Sequence, residues 1–258
     1  MNIFRNQKWK VLMMTMIVGI GFASCGDDDD EDNRTNEPST PSDARAVDLG
    51  LSVHWAKMNV GASSPEDFGL YFAWGEAKGY TSNTSDGHQF DYAEYKWMTP
   101  GQSSPYWINK YQVADNWTEG CWFDSSNRFI GDGKTVLESA DDAATASWGG
   151  SWRMPTIEEC QELINNCTAE WTRLSGVYGC KLTSRKNGNS IFLPAAGIRA
   201  SGGVLTWEGI GVYWSSSLKT TLGGQGFNFS ANDGSSMYVT ANDYSRNTGI
   251  NVRPVMNK

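Results

Sequence analysis

Two histidines, His54 and His88, and five cysteines are the side chains best suited to acid–base or nucleophilic chemistry in these 258 residues. A histidine base needs a recognisable setting, such as Gly-x-Ser-x-Gly or His-Glu-x-x-His, and the chain has neither; it also lacks a Walker-type phosphate loop. His54 falls in an alternating segment and His88 in a polar loop. Glu158 and Glu159 are adjacent at a helix start, where carboxylates serve the positive helix end. Cys160 and Cys167 are seven residues apart on one apolar face, so on a continuous helix their Cα atoms stand about 10 Å apart. A disulfide spans less than about 7 Å, and free core thiols are expected. No Cys-x-x-Cys or Cys/His cluster suggests a metal, and no cofactor is expected. What the residue types support is recognition rather than catalysis.

The residues suited to recognition gather near the C-terminus. Phe227/Phe229, Met237/Val239 and Ile250/Val252 alternate with polar residues and mark strands. If the apolar set faces a core, Asn228, Ser230, Ser236 and Tyr238 point away from it. The turns between add Asn232, Asp233, Asn242, Asp243, Tyr244, Ser245 and Asn247. Tyr244 has no apolar neighbour at i±2, so it too is expected in the exposed patch. Tyrosine mixed with Ser, Gly and Asn is the composition of adaptable binding surfaces. The same small residues also form turns for backbone reasons, and both readings stand. Asn228, Asn232, Asp233, Ser236, Tyr238, Asn242, Asp243, Tyr244 and Asn247 are the candidate ligand-binding set.

These residues need a sheet and something to back it. Thr156 with Glu159, directly after Pro155, forms a capping-box signature. Ile157, Cys160, Leu163, Ile164 and Cys167 then recur at helical spacing, predicting one amphipathic helix over roughly 156–166 with Asn165-Asn166 as a left-handed C-cap. A second short helix is expected near Asp141–Ala146. Residues 47–56 read as a strand or tight hairpin, and 67–76 as another strand. Strands are also expected around 171–174, 180–183, 190–193 and 211–217, with a hairpin turn at Asn187-Gly188. Between Lys78 and Lys134 the pattern dissolves into Gly, Ser, Asn and scattered aromatics, a long loop region expected to be packed down by its own rings. The fold class is α+β, with antiparallel sheets, about two short helices and long packed loops.

The N-terminal residues are read as an export and anchoring device. Arg5, Lys8 and Lys10 precede an apolar run from Val11 to Phe22, too short to span a bilayer comfortably but suited to a signal peptide over 1–25. A flexible tether follows over 26–45, opening with Gly26-Asp27-Asp28-Asp29-Asp30-Glu31-Asp32 and continuing through Pro38 and Pro41. It holds most of the net charge of −8, leaving residues 46–258 only mildly acidic. With no basic stripe, nucleic acid is not expected as a partner.

Several ordered motifs together resemble a known family. They are Ala46-Val47-Asp48-Leu49-Gly50-Leu51, Tyr71-Phe72-Ala73-Trp74-Gly75-Glu76, Asp141-Asp142-Ala143-Ala144, Trp152-Arg153-Met154-Pro155-Thr156, Phe192-Leu193-Pro194-Ala195-Ala196-Gly197, Tyr213-Trp214-Ser215-Ser216-Ser217 and Val252-Arg253-Pro254-Val255. In this order they resemble the Fibrobacter succinogenes major paralogous domain, a family of surface lipoproteins, many from gut Bacteroidetes. The resemblance implies a C-type-lectin-like fold over 46–258, similar to formylglycine-generating enzymes and to the targets of diversity-generating retroelements. Phe22-Ala23-Ser24-Cys25 resembles a lipobox, which implies a lipid on Cys25, and the acids after it resemble a surface-export signal. The implied location is the outer membrane, facing the exterior. In retroelement targets the stretch before the last strand faces the ligand, which favours the candidate set above. Met58 stands where relatives often have cysteine. The cysteine pair of formylglycine-generating enzymes lies near the C-terminus, whereas the last cysteine here is Cys180, and the calcium-lectin motifs Glu-Pro-Asn and Trp-Asn-Asp are absent. The expectation is a non-enzymatic domain that binds an extracellular protein, with a metal-independent glycan module as the alternative.

Overall fold

The computed structural model describes residues 43–258 apart from 115–118, 204, 207–208 and 233–235, and for 232–238 it gives no side-chain environment. The expected signal, the candidate lipidation residue Cys25 and all but the end of the expected tether lie outside the described residues. In chain order the strands and helices are β1 (Ala46–Val47), β2 (Val53–Ala56), β3 (Tyr71–Phe72), α1 (Ala143–Trp148), β4 (Trp152–Arg153), α2 (Ile157–Asn166), β5 (Cys167–Leu174), β6 (Val177–Ser184), β7 (Ser190–Pro194), β8 (Ile198–Arg199), β9 (Leu205–Thr206), β10 (Ile210–Thr220), β11 (Gly223–Asn232), β12 (Ser236–Ser245), β13 (Ile250–Asn251) and β14 (Val255–Asn257). The domain is α+β with mainly antiparallel sheets, as expected; β10 and β13 form a parallel pair. Among the described residues no helix is long and apolar enough to cross a membrane.

Helix α2 forms where the capping signature put it. The Thr156 hydroxyl accepts from Glu159 N–H and the Glu159 carboxylate accepts from Thr156 N–H. Arg153 then clamps both Glu159 oxygens at 2.6 and 2.8 Å, fixing the entry to the helix. Cys160 and Leu163 are buried, with Ile157 and Ile164 half-buried against the same core. The expected left-handed C-cap is not there. Cys167 follows the helix in extended conformation (φ −114°) and opens β5 directly. Its side chain belongs to the core beneath α2, and an extended residue delivers it there while leaving the chain free to pair with β6.

The central sheet has the order β12-β11-β10-β13-β3. One face carries Tyr213, Phe227 and Phe229, covered by α2 and by the sheet β5-β6-β7. Val212, Trp214, Leu218, Ile250 and Phe72 from the sheet pack in a second core with Trp74 and Tyr111. A sheet covered on both faces explains why β10 is buried almost from end to end, its three serines included. Gly224 makes one of these contacts possible, since a Cβ there would lie 2.7 Å from Trp74 Cγ. The third core is the predicted aromatic one: Tyr71, Phe90, Tyr95, Met98 and Trp122 pack with Tyr92, Phe123 and Phe129 inside the long loops.

Two strand expectations change in detail. Residues 67–76 hold only the two-residue strand β3, because Gly69 and Gly75 take positive φ (71° and 79°) and turn the chain on either side. Residues 46–56 are a hairpin of β1 and β2, which β14 joins on the other side of β2 to make the sheet β1-β2-β14-β4. The β6–β7 turn at 185–189 has Gly188 at φ 77°, as the Asn-Gly signal required. Cys121, Cys160, Cys167 and Cys180 are free thiols.

Candidate functional site

The candidate set maps onto the far half of the central sheet, where β11 and β12 run antiparallel for ten residues each. Register decides what each residue can reach. Phe227 pairs with Ala241 and Phe229 with Val239, and this row packs on the core under α2. The alternate row pairs Asn228 with Thr240 and Gly226 with Asn242 on the other face. Asn242 and Thr240 are exposed, and Asn228 and Ser230 are half-buried. Asn242 Nδ2 donates to Asn228 Oδ1 at 3.0 Å, a diagonal link across the two strands. Next to them on β10 is half-buried Ile210, opposite Ser230. The result is a flat patch of amide and hydroxyl groups on a sheet made rigid from behind.

Tyr244 is not part of that exposed patch. It lies on the same face as Asn242, but its ring packs edge-on to Trp214, with centroids 5.9 Å apart, in the core of Trp74 and Tyr111. Burial pushes its hydroxyl up to about 12. The absence of apolar neighbours at i±2 was a poor guide, because the ring's partners come from β10 and the 71–76 segment, not from its own strand. Asn247 is also corrected: it is buried, and its Nδ2 donates to Phe90 O at 2.7 Å, tying the last turn to the aromatic loops. Asp243 is exposed but on the opposite face from Asn242, where its Oδ1 meets Lys219 Nζ at 3.2 Å. In the backbone ladder Tyr238 pairs with Ser230 and Ser236 with Asn232; the side chains of Asn232, Ser236 and Tyr238, and all of Asp233, lie outside the described residues.

A second recess, which no sequence signal marked, opens beside the buried turn. Asp91, Tyr92, Ser103, Ser201, Ser245 and Thr248 line a cleft of about 450 Å³, with Asn247 in its wall. Tyr92 and Ser245 are joined by a side-chain hydrogen bond, and burial raises the Tyr92 hydroxyl pKa. These residues come from three separate regions, around 91–103, 198–201 and 245–248, so only folding could bring them together.

The groups suited to catalysis are used structurally. His88 stacks on Tyr80 at 3.7 Å and pairs its Nδ1 with Glu94 at 2.8 Å. His54 is buried in β2, with neither ring nitrogen hydrogen-bonded. Burial raises the pKa of each of the four thiols, Cys167 to about 11, which keeps them protonated and poor nucleophiles at neutral pH. Asp141 links three side chains. It accepts from Lys96 and Lys110 at 2.9 and 2.6 Å and from the Tyr111 hydroxyl at 2.6 Å, joining the aromatic loops to the turn before α1. Those hydrogen bonds outweigh burial and hold its carboxyl below the usual range. Among the described residues no three His, Cys, Asp or Glu side chains converge as a metal site would need.

No family model, curated protein or solved structure matches this chain.

Proposed function

We propose that the chain is a non-enzymatic surface lipoprotein, anchored through Cys25 in the outer membrane, whose C-type-lectin-like domain presents the outer face of β11–β12 to an extracellular protein. The carrying observation is the Asn228–Asn242 pair with Ser230 and Thr240 on a two-faced sheet, where Phe227 and Phe229 on the opposite face are buried in the core. Backing of this kind keeps a small-polar surface from losing further freedom on binding, which is where affinity is otherwise lost. The resemblance to retroelement targets, whose stretch before the last strand faces the ligand, supports the same reading.

The test is a charge insertion. Asn228→Arg with Asn242→Arg should leave the melting temperature within a few degrees of wild type and abolish attachment of the cells to their partner. Retained attachment by the folded variant would remove this face from the site. The hydroxyl-lined cleft around Tyr92 supports the second reading, a metal-independent glycan module, since Asp, Ser, Thr and a tyrosine in one recess suit sugar hydroxyls. Attachment that survives the arginine pair and chelator, but falls on Tyr92→Ala, would favour that reading instead.

A further inference from the structure

The sheet β5-β6-β7 has a second side. Its core face buries Cys180, Leu182 and Leu193 under α2. The other face carries the alternate row, in which Lys181 pairs with Phe192 on one side and Glu170 on the other, and Thr172 pairs with Gly179. Together with Val47, Lys57 and Pro65 this face encloses a cleft of about 470 Å³, within the range of small-molecule sites.

Its floor is apolar and built in. Phe192 lies against the bare backbone of Gly179, where a Cβ would come 2.6 Å from Phe192 Cζ. Arg253 holds the same strand by donating from Nη2 to Phe192 O at 2.9 Å. Leu174 at the rim is 36% exposed, one of few large apolar side chains left so open. Val47 and Pro65 complete the apolar wall.

The charge at this cleft is unspent. Lys96, Lys110, Lys134, Lys186, Lys219 and Lys258 each have a carboxylate within 4.0 Å. Lys57 and Lys181 have none among the described residues; Lys78, the other exception, lies over the Tyr80 ring. Glu170 sits opposite Lys181 without reaching it, and Glu66, beside Pro65, is engaged by the Ser64 and Ser175 side chains. Arg173 borders the cleft but turns its guanidinium onto Tyr178, 3.9 Å from the ring centroid.

We propose that this cleft binds a small amphipathic carboxylate, its apolar body on Phe192, Val47, Pro65 and Leu174 and its carboxylate held by Lys57 and Lys181. Apolar burial supplies most of the affinity, and the two ammonium groups, with no internal partner to give up, select the anion. The site is separate from the β11–β12 face and does not depend on it.

The probe is 4-phenylbutyrate, titrated calorimetrically into the purified full chain, with 4-phenylbutan-1-ol and acetate as the body and the head alone. Saturable one-site binding of 4-phenylbutyrate is expected, at least tenfold tighter than that of either fragment. Lys57→Gln with Lys181→Gln should weaken it tenfold or more without changing the melting temperature, since both side chains are exposed. Lys57→Arg with Lys181→Arg should restore it, which separates charge from any folding defect. Equal affinity in the glutamine pair, equal affinity for the alcohol, or no saturation would overturn the proposal. So would capture of an acidic peptide that 4-phenylbutyrate fails to displace, or a dimer in sedimentation that the glutamine pair dissolves, because either assigns the cleft to another chain.

Discussion

Single residues hold the long loops of this protein to its sheet. Arg246 is fully buried and has no carboxylate partner among the described residues; its Nε donates to the Tyr95 hydroxyl, Nη1 to the Tyr111 and Thr221 carbonyls, and Nη2 to the Lys110 carbonyl, all at 2.9–3.0 Å. Its guanidinium also lies 4.9 Å from the Trp74 ring centroid. Each buried acceptor left bare costs about 1–3 kcal/mol. Arg246→Ala should therefore lower the unfolding free energy by roughly 3 kcal/mol or more in urea titration; a loss below about 1 kcal/mol would mean that water replaces the guanidinium. His54 makes a pH prediction. Burial lowers its folded pKa below 6.5, the charge of Lys258 acts in the same direction, and Asp48, 4.0 Å away, only partly opposes them. The unfolded chain thus takes up a proton at His54 that the folded chain resists, so stability is full above about pH 6.5 and falls as the pH drops below it. His88 is lowered by burial in the same sense. His54→Met should flatten the fall in urea midpoint between pH 7.5 and 5.5; an unchanged slope would place the titration elsewhere.

At the scale of elements, α2 was the most legible part of the chain, because cap, face and length are all local. Thr156, Glu159 and the i, i+3, i+4 apolar spacing sit within eleven residues, and the structure uses every one of them. Leu163 is fully buried and Glu158 is exposed. Leu163→Ala should cost about 2–5 kcal/mol, whereas Glu158→Ala, on the solvent side, should cost under about 0.5 kcal/mol. Equal losses in a thermal melt would mean that the helix packs by a different face. The C-cap failed for a reason outside the helix: the demand for Cys167 in the core overrode the turn preference of Asn165-Asn166. The β11–β12 pair shows the same division. Parity along the strands sorted Asn228 from Phe227 and Phe229 correctly, whereas Asn242, expected in a turn, lies within β12. It said nothing of Tyr244, whose fate was settled by Trp214 on β10, thirty residues earlier.

For the molecule as a whole, the proposed division of labour is an anchor, a tether and one domain spanning 46–258. Radiolabelled palmitate should label the wild-type chain and not Cys25→Ser, since the acyl chains would be its only strong hold on the bilayer. An unlabelled wild type would remove the anchor from the reading. Within the domain, the central sheet separates two cores, so both the α2 side and the tryptophan side must form for either to be dry.

Local pattern determined a good deal about this protein: the α+β class, the capped helix, the Asn-Gly hairpin, the alternation of β11 and β12, and an aromatic filling for the loops between Lys78 and Lys134. These follow from interactions within a few residues, or from a two- or 3.6-residue period. The tertiary structure alone decided that Tyr244 and Asn247 turn inward, that residues around Asp91, Ser201 and Ser245 share one cleft, and that Lys57, Lys181 and Phe192 line another. Those outcomes depend on which surfaces exclude water together, and contacts between residues tens to over a hundred positions apart leave no period in the chain to read.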